Sequence, residues 1–466
     1  MNQIDLSTIK HMHFVGIKGV AMTALAVWAK ERGWQVSGSD VEEVFPTDEV
    51  LLKKNITWNS GFDKNHISKD CDLVIVTGAH GGMNNVEAVE AQSLGIPTVM
   101  QGEILGACTA DKKVIAVAGS HGKTTTSALT SHILMKAGKD PSYIVGCGDI
   151  PSIGQPAHFG SGEYFVVEAD EYINCPGIDM TPKFLFLNPH IGVITNIEYD
   201  HPDAYNDIHA VKTAFKAFIE KTHKGGKIIA CIDSENVQEL LSAVDNSQKI
   251  TYGFSKNADY YIEDVSFGDG KTMFSVHHGD SNDAFELSIP GRHNALNALA
   301  AVLACTIVGV EMEAIKKALP SFVGTKRRFE RVGQYQGAPI YDDYAHHPTE
   351  IQATLKAAKN WYPDKKIIAI FQPHTYSRTK ALFKEFGEAF GDADEVVITD
   401  IYASGRESKD ASISGNMLAD SITVPSSVFY RPNEADVVQY IRENARQDNV
   451  IITMGAGDIW TWLNHL

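Results

Sequence analysis

After the apolar run Lys113 to Ala118 the chain reads Gly119-Ser120-His121-Gly122-Lys123-Thr124-Thr125-Thr126, followed by a helical pattern through Ala137. Strand, glycine turn and helix start in that order let backbone N–H groups converge on phosphate oxygens, and the helix dipole favours the anion. Lys123 would add a point charge near terminal phosphates, and the Thr124 hydroxyl would suit Mg²⁺. The general pattern G-x-x-x-x-G-K-[ST] requires its first glycine at position 117, where this chain has Val117. The loop is therefore a shortened variant. A chance glycine turn is the bland alternative, and the flanking strand and helix weigh against it.

Two further polar clusters follow apolar runs of strand length. Glu168-Ala169-Asp170-Glu171 comes after Tyr164 to Val167, and Thr195-Asn196-Ile197-Glu198-Tyr199-Asp200-His201 comes after Gly192 to Ile194. In an open parallel sheet both would leave the carboxyl edge, where ligands collect. The carboxylates suit Mg²⁺, a hard ion that takes oxygen ligands. His201 becomes a candidate metal or phosphate contact by its setting, since a lone histidine is ordinarily a surface or satisfied core residue. An acidic loop in solvent is the ordinary reading of 168–171 taken alone.

These clusters need elements to hold them. The chain alternates strand-like and helical stretches from Met12 to Val15 onward, with Gln35 to Ser37, Asp72 to Thr77 and 96–99 as further strands of a first sheet. Lys113 to Ala118, Tyr164 to Val167, Gly192 to Ile194 and Lys227 to Ala230 belong to a second. Residues 340–341, 366–371, 395–399, 427–430 and 450–453 make a third. The expectation is an α/β protein of three domains: a Rossmann-like domain over 1–110, a central phosphate-loop domain with a mainly parallel sheet over 111–323, and a second Rossmann-like domain over 324–466.

Length agrees, because 466 residues exceed what one core supports. A formal net charge of −17 argues against a sequence-independent nucleic-acid binder, which needs clustered Lys and Arg. The six cysteines are scattered without a CxxC pair or zinc-like histidine spacing, which favours a reducing cytoplasm. No secretory leader is expected. The apolar stretch 295–310 is interrupted by Asn297 and Thr306 and reads as a buried Ala-rich helix, not a membrane span.

Taken together, Gly119 to Thr126, Glu168 to Glu171, Thr195 to His201, Gly291-Arg292-His293-Asn294-Ala295-Leu296-Asn297 and Asp342-Asp343-Tyr344-Ala345-His346-His347-Pro348 resemble the Mur ligase family over nearly the whole chain. The resemblance is greatest to members that join L-alanine to UDP-N-acetylmuramate. It implies a UDP-substrate domain, an ATPase domain and a third domain that brings the amino acid. It also implies an ATP-dependent carboxylate–amine ligase working through an acyl phosphate. Because three domains have to meet around three substrates, the third is expected to close as a rigid body and exclude water.

By the same resemblance Gly119, Ser120, His121, Gly122, Lys123, Thr124 and Thr125 hold ATP. Thr124, Glu168 and His201 hold Mg²⁺, and His293 and Asn297 contact adenine. Arg327 approaches the nucleotide and Asp343 the ribose. His346, His374 and Arg378 belong to the amino-acid site. Lys123, Glu168, His201, Arg327, His346 and Arg378 form the expected catalytic set. On composition alone, Lys326 to Arg328 reads as a solvated basic patch.

Departures from the family pattern concentrate on substrate. The amino-terminal turn is Gly16-Ile17-Lys18-Gly19-Val20, with Lys18 where a glycine is usual and another glycine missing near Val20. Gly16, Lys18, Gly19 and Asp40 are the expected UDP contacts. Lys18 reads equally as a phosphate contact or an exposed turn lysine. With only Gly16 and Gly19 in place the dinucleotide fingerprint is weak, so a UDP site is preferred to a nicotinamide site. Tyr172 to Pro176 and Thr375 also depart. They leave open a recycling ligase that adds a tripeptide. A nucleotide-switched binding protein is the alternative of another class.

Overall fold

The computed structural model describes residues 4–404 and 407–466, and these form a three-domain α/β protein with one main sheet per domain. In the first sheet five parallel strands lie in the order Asn59–Ser60, Gln35–Asp40, His11–Val15, Leu73–Val76, Thr98–Met100. The strand order reverses beside His11–Val15, so the turn at Gly16 opens at the switch point of the sheet. The second strand runs on past the expected Ser37 to Asp40.

In the central sheet Lys113–Ala118 lies between Tyr164–Glu168 and Ile191–Ile194, parallel to both. Val117 pairs with Glu168 and Ala118 with Ile194, so the three strands end level. That register brings the glycine loop and both polar clusters to one edge. The sheet then continues into an antiparallel meander, Tyr260–Gly268, Lys271–His278 and Ser281–Leu287, that apolar runs do not reveal. Thr272, Phe274 and Val276 point inward, but Met273 on the outer face is 43% exposed, which blurs the polar–apolar alternation.

The helix Lys123–Lys136 is rich in Ser and Thr, poor formers in isolation, and is stabilised by burial. The hydroxyls of Thr130 and Ser131 donate to the carbonyls of Thr126 and Ser127, both at 2.8 Å, so their burial leaves no hydrogen bond unmade. Against it packs the helix Arg292–Ile307, whose buried Ala298, Ala301 and Ala304 permit close approach. This is the Ala-rich helix anticipated at 295–310. Among the described residues no helix is long and apolar enough to cross a membrane. All six cysteines are buried free thiols.

The third sheet orders Glu330–Tyr335, Ala338–Asp343, Asn449–Met454, Lys366–Phe371, Glu395–Ile398 and Val428–Tyr430, parallel except for its first strand.

Candidate active site

Two glycines of the loop adopt backbone angles that other residues resist. Gly119 has φ of 141° and Gly122 of 83°, and a Cβ would overlap Thr195 Oγ1 at the first and Asn297 Oδ1 at the second. Asn196 clamps the turn, its Oδ1 accepting from His121 N at 2.9 Å and its Nδ2 donating to His121 O at 3.0 Å. Lys123 folds back over the loop. Its Nζ donates to Gly119 O at 2.6 Å and Ser120 O at 3.1 Å, and lies 2.8 Å from Glu171 Oε2. Burial works against its charge, but Glu171, Asp170 and Glu168 outweigh burial and hold the ammonium above its ordinary range.

Thr124 Oγ1 donates to Glu168 Oε1 at 3.0 Å, and Glu168 Oε2 accepts from Gly146 N at 2.9 Å. Burial raises the Glu168 carboxyl above its usual value. A hydroxyl and a buried acid whose ionised form lacks a full counter-charge fit a hard divalent cation. His201, at φ of 60°, faces other acids: its Nε2 is 3.7 Å from Glu171 and 3.6 Å from Asp200. The structure thus joins Thr124 to Glu168 and sets His201 one acid further along the same edge.

A cavity of about 180 Å³ opens beside the loop. The central domain lines it with Gly122, Thr124, Thr125, Asn196, His293 and Asn297, and the third domain with Arg328, Asp343, Glu350 and Thr354. Burial, with Arg328 nearby, pushes His293 down to about 4, so it meets a ligand as a neutral ring. Asp343 is occupied structurally, accepting from Phe329 N at 2.9 Å, Ala345 N at 2.8 Å and Thr354 Oγ1 at 3.2 Å.

Arg328, not Arg327, lines the cavity. Arg327 is buried in its own domain, with Nε on Asp342 at 2.9 Å and Nη2 on Gly455 O at 2.7 Å. The solvated basic patch suggested by composition is therefore absent at both arginines. Their backbone amides and guanidinium groups knit the domain entrance, which composition alone does not encode.

Polar contacts cross from the central to the third domain. Arg378 Nη2 reaches Asp200 Oδ1 at 2.9 Å, with both side chains under 8% exposed. Thr349 Oγ1 donates to Glu198 Oε2 at 2.7 Å. His121 stands between two carboxylates, Nε2 at 3.3 Å from Glu198 and Nδ1 at 3.3 Å from Glu350. Beside them His374 Nδ1 lies 3.3 Å from Arg378 Nη1, and the rings of His346 and His374 meet edge to face. Burial pushes His346 down to about 4. Its Nδ1 contacts Tyr344 O at 2.9 Å, which assigns the hydrogen to Nδ1 and leaves Nε2 the acceptor.

Residues 11–113 match the Mur ligase family, catalytic domain; 117–305 match the Mur ligase middle domain; and 327–457 match the Mur ligase, glutamate ligase domain. The chain belongs to the Mur ligase family. It is 41% identical to UDP-N-acetylmuramate–L-alanine ligase of Desulfitobacterium hafniense, over 97% of this chain and 98% of that one. The corresponding enzyme of Acetivibrio thermocellus is 42% identical over 98% and 95%. Among solved structures, UDP-N-acetylmuramate–alanine ligase of Thermotoga maritima aligns with a TM-score of 0.81 at 28% identity, over 98% of this chain and 97% of that one. A murein peptide ligase of Psychrobacter arcticus aligns at 0.72 and 25%, over 98% and 99%.

The departures from the Mur ligase pattern have structural partners. Lys18 is neither exposed nor directed to a ligand: it is 2% exposed, its Nζ donates to the carbonyls of Val41 and Glu43 and stands 3.6 Å from Asp48, and Phe45 lies 5.1 Å from it. Asp40 accepts from Lys18 N at 2.7 Å and so braces the same turn. Gly16, at φ of 81°, leaves no room for a Cβ, which would lie 2.5 Å from Thr77 Cγ2. Gly19 starts the helix Val20–Glu31 at an ordinary φ of −57°.

Tyr172 packs its ring 4.8 Å from His201 and donates to Asp203 at 2.6 Å. Asn174, fully buried, accepts from Gly102 N at 3.0 Å and so ties the central domain to the first. Thr375 holds φ of 66° and ψ of 142°, a strained conformation for a β-branched residue, between His374 and the helix Tyr376–Ala381.

Sequence reasoning did not single out Glu171, Glu198, Asp200, Arg328, Thr349 or Glu350 as site residues. Glu198, Asp200 and Glu171 lay within quoted motifs. Glu350, in His347-Pro348-Thr349-Glu350, reads first as a helix-start signal, and it performs that task as well.

Proposed function

We propose that this Mur ligase joins L-alanine to the carboxylate of UDP-N-acetylmuramate using ATP, in the cytoplasm, as a step of peptidoglycan precursor synthesis. The observation that carries the reading is the cavity where the phosphate loop of the central domain meets charged residues of the third. The division into 1–110 for the UDP-sugar, 111–323 for ATP and 324–466 for the amino acid is part of it.

A carboxylate is a poor electrophile, and phosphorylation gives it a leaving group. The substrate carboxylate attacks the γ-phosphate, forming an acyl phosphate and ADP. The amine then attacks the acyl carbon and expels phosphate. The loop amides and Lys123 bind the phosphates, for which Lys123 swings from Glu171 and its own loop carbonyls.

Thr124, Glu168 and His201 would hold Mg²⁺, which offsets phosphoryl charge when bound. His293 and Asn297 receive the base. Arg378, whose buried Nε has no acceptor among the described residues, donates to the amino acid's carboxylate. Neutral His346, with Nε2 as acceptor, takes the amine's proton. Gly16 and Asp40 shape the turn for the UDP group, with Lys18 supporting it from beneath.

The test is a panel of amines scored by phosphate release and by product mass. L-alanine gives ADP, phosphate and the alanyl product of UDP-N-acetylmuramate. Turnover confined to a tripeptide would assign the recycling reaction instead, and amine-independent hydrolysis would assign a nucleotide switch.

A further inference from the structure

We propose that Glu350 is a positioning residue that fixes His346 against the phosphate loop through His121, so that the amine site takes shape only when the third domain is seated on the central one. The inference rests on the ligase reading above, in which His346 faces the amine.

The two oxygens of Glu350 face different partners. Oε2 serves its own domain: it accepts from His346 N at 3.0 Å and His347 N at 3.3 Å, and stands 3.3 Å from His346 Nδ1. Oε1 faces His121 Nδ1 at 3.3 Å, across the domain boundary, and Arg328 Nη1 at 3.6 Å. Capping the helix Pro348–Trp361 requires only the Oε2 contacts. The Oε1 contacts are surplus to capping, and one of them ends on His121 of the phosphate loop.

Capping glutamates ordinarily stand in solvent, yet the Glu350 side chain is 12% exposed. Burial opposes its charge, but His346, His121 and Arg328 outweigh it and hold the carboxyl well below the usual range. Thr349 repeats the bridge one residue earlier through Glu198, and Glu198 is the second carboxylate on His121. The start of one helix therefore touches the phosphate loop directly and through a shared acid, while its cap fixes both the backbone and the ring of His346. Separation of the domains would remove the His121 side of this arrangement and leave His346 held from one side only.

The experiment is steady-state kinetics of Glu350→Gln, His121→Asn and the double variant, with thermal unfolding to establish folding. Glu350→Gln is expected to raise the KM for L-alanine about tenfold, a typical coupling between sites, with the KM for UDP-N-acetylmuramate within about twofold. His121→Asn raises the L-alanine KM in the same direction. The double variant matches the worse single one, because both act through one path.

An unchanged L-alanine KM in Glu350→Gln, or single effects that multiply in the double variant, overturns the proposal. If Glu350→Gln does not fold, Thr349→Val leaves the cap intact; a raised L-alanine KM there supports the bridge, and an unchanged one overturns it. Failure of the ligase reading would look different, since the unaltered chain would then release no phosphate in response to L-alanine.

Discussion

Lys123 Nζ and Glu171 Oε2 lie 2.8 Å apart, the lysine side chain 13% exposed and the glutamate buried, at the point where the phosphate loop turns into its helix. The ammonium is thus held at the loop before any phosphate arrives, and a phosphate must compete with Glu171 for it. Lys123→Ala removes the charge that meets the phosphoryl group. We expect kcat/KM to fall by about a thousandfold, the scale of losing one preorganised donor to developing charge. Phosphate release with saturating L-alanine reads this directly, and wild-type turnover would refute the loop assignment.

Gly122→Ala tests the same loop without touching a charge. The left-handed φ of 83° costs an L-residue about 1–2 kcal/mol, and the new Cβ displaces Asn297 from the cavity. The KM for ATP should rise about tenfold or more while the fold persists, the conversion of at least 1.4 kcal/mol. A loss confined to L-alanine binding would contradict the placement of the nucleotide.

The sheets were legible because parallel, doubly buried strands appear as continuous apolar runs: Lys113–Ala118 and Lys366–Phe371 carry the same bounds in sequence and structure. The phosphate loop was legible because its chemistry is local. The contacts that close the site were not. Glu198 meets Thr349 and Asp200 meets Arg378 across long stretches of chain, and only the docking of two domains brings them together. Lys18 illustrates the opposite error, since a lysine in a glycine turn looks exposed until the loop at 41–48 folds over it.

Asp200→Ala should separate closure from chemistry. Arg378 would lose its carboxylate partner only in the docked arrangement, where both groups are buried, and uncompensated burial of one charge costs about 3–5 kcal/mol. The expected result is a lower kcat/KM for L-alanine and a larger radius of gyration in small-angle scattering. Because Asp200 also adjoins His201, compactness is the deciding measurement: an unchanged radius would show that the pair does not hold the domains together.

Asn174→Ala addresses a departure that looks substrate-related in sequence and structural in the fold. The Asn174 oxygen caps Gly102 N at 3.0 Å while its amide donates to Asp179 at 2.8 Å, all away from the phosphate loop. Leaving Gly102 N unpaired should cost about 1–3 kcal/mol in urea unfolding. KM values for ATP and L-alanine should stay within about twofold, as expected for a site without shared contacts. A change in amine preference would instead return the segment 172–176 to the substrate site.

The pH dependence of stability offers a separate check on the domain boundary. Burial opposes a charge on His121, but Glu198 and Glu350 outweigh it and push its pKa up to about 10, against an ordinary 6.5. His347, 4.8 Å away ring to ring, is pushed down by its burial and by the charge on His121, so the proton belongs to His121. Folding therefore binds a proton between these values. The resulting stabilisation is complete below pH 6.5, declines as pH rises through the window, and is gone beyond about 10.

His121→Asn abolishes this term and leaves the other titrating groups in place. Between pH 6.5 and 9 the unaltered chain should lose stability more steeply than the variant, by at most about 1.4 kcal/mol per pH unit. Denaturant unfolding at the two pH values measures the difference. Parallel slopes would mean that the loop histidine is not charged between its two carboxylates.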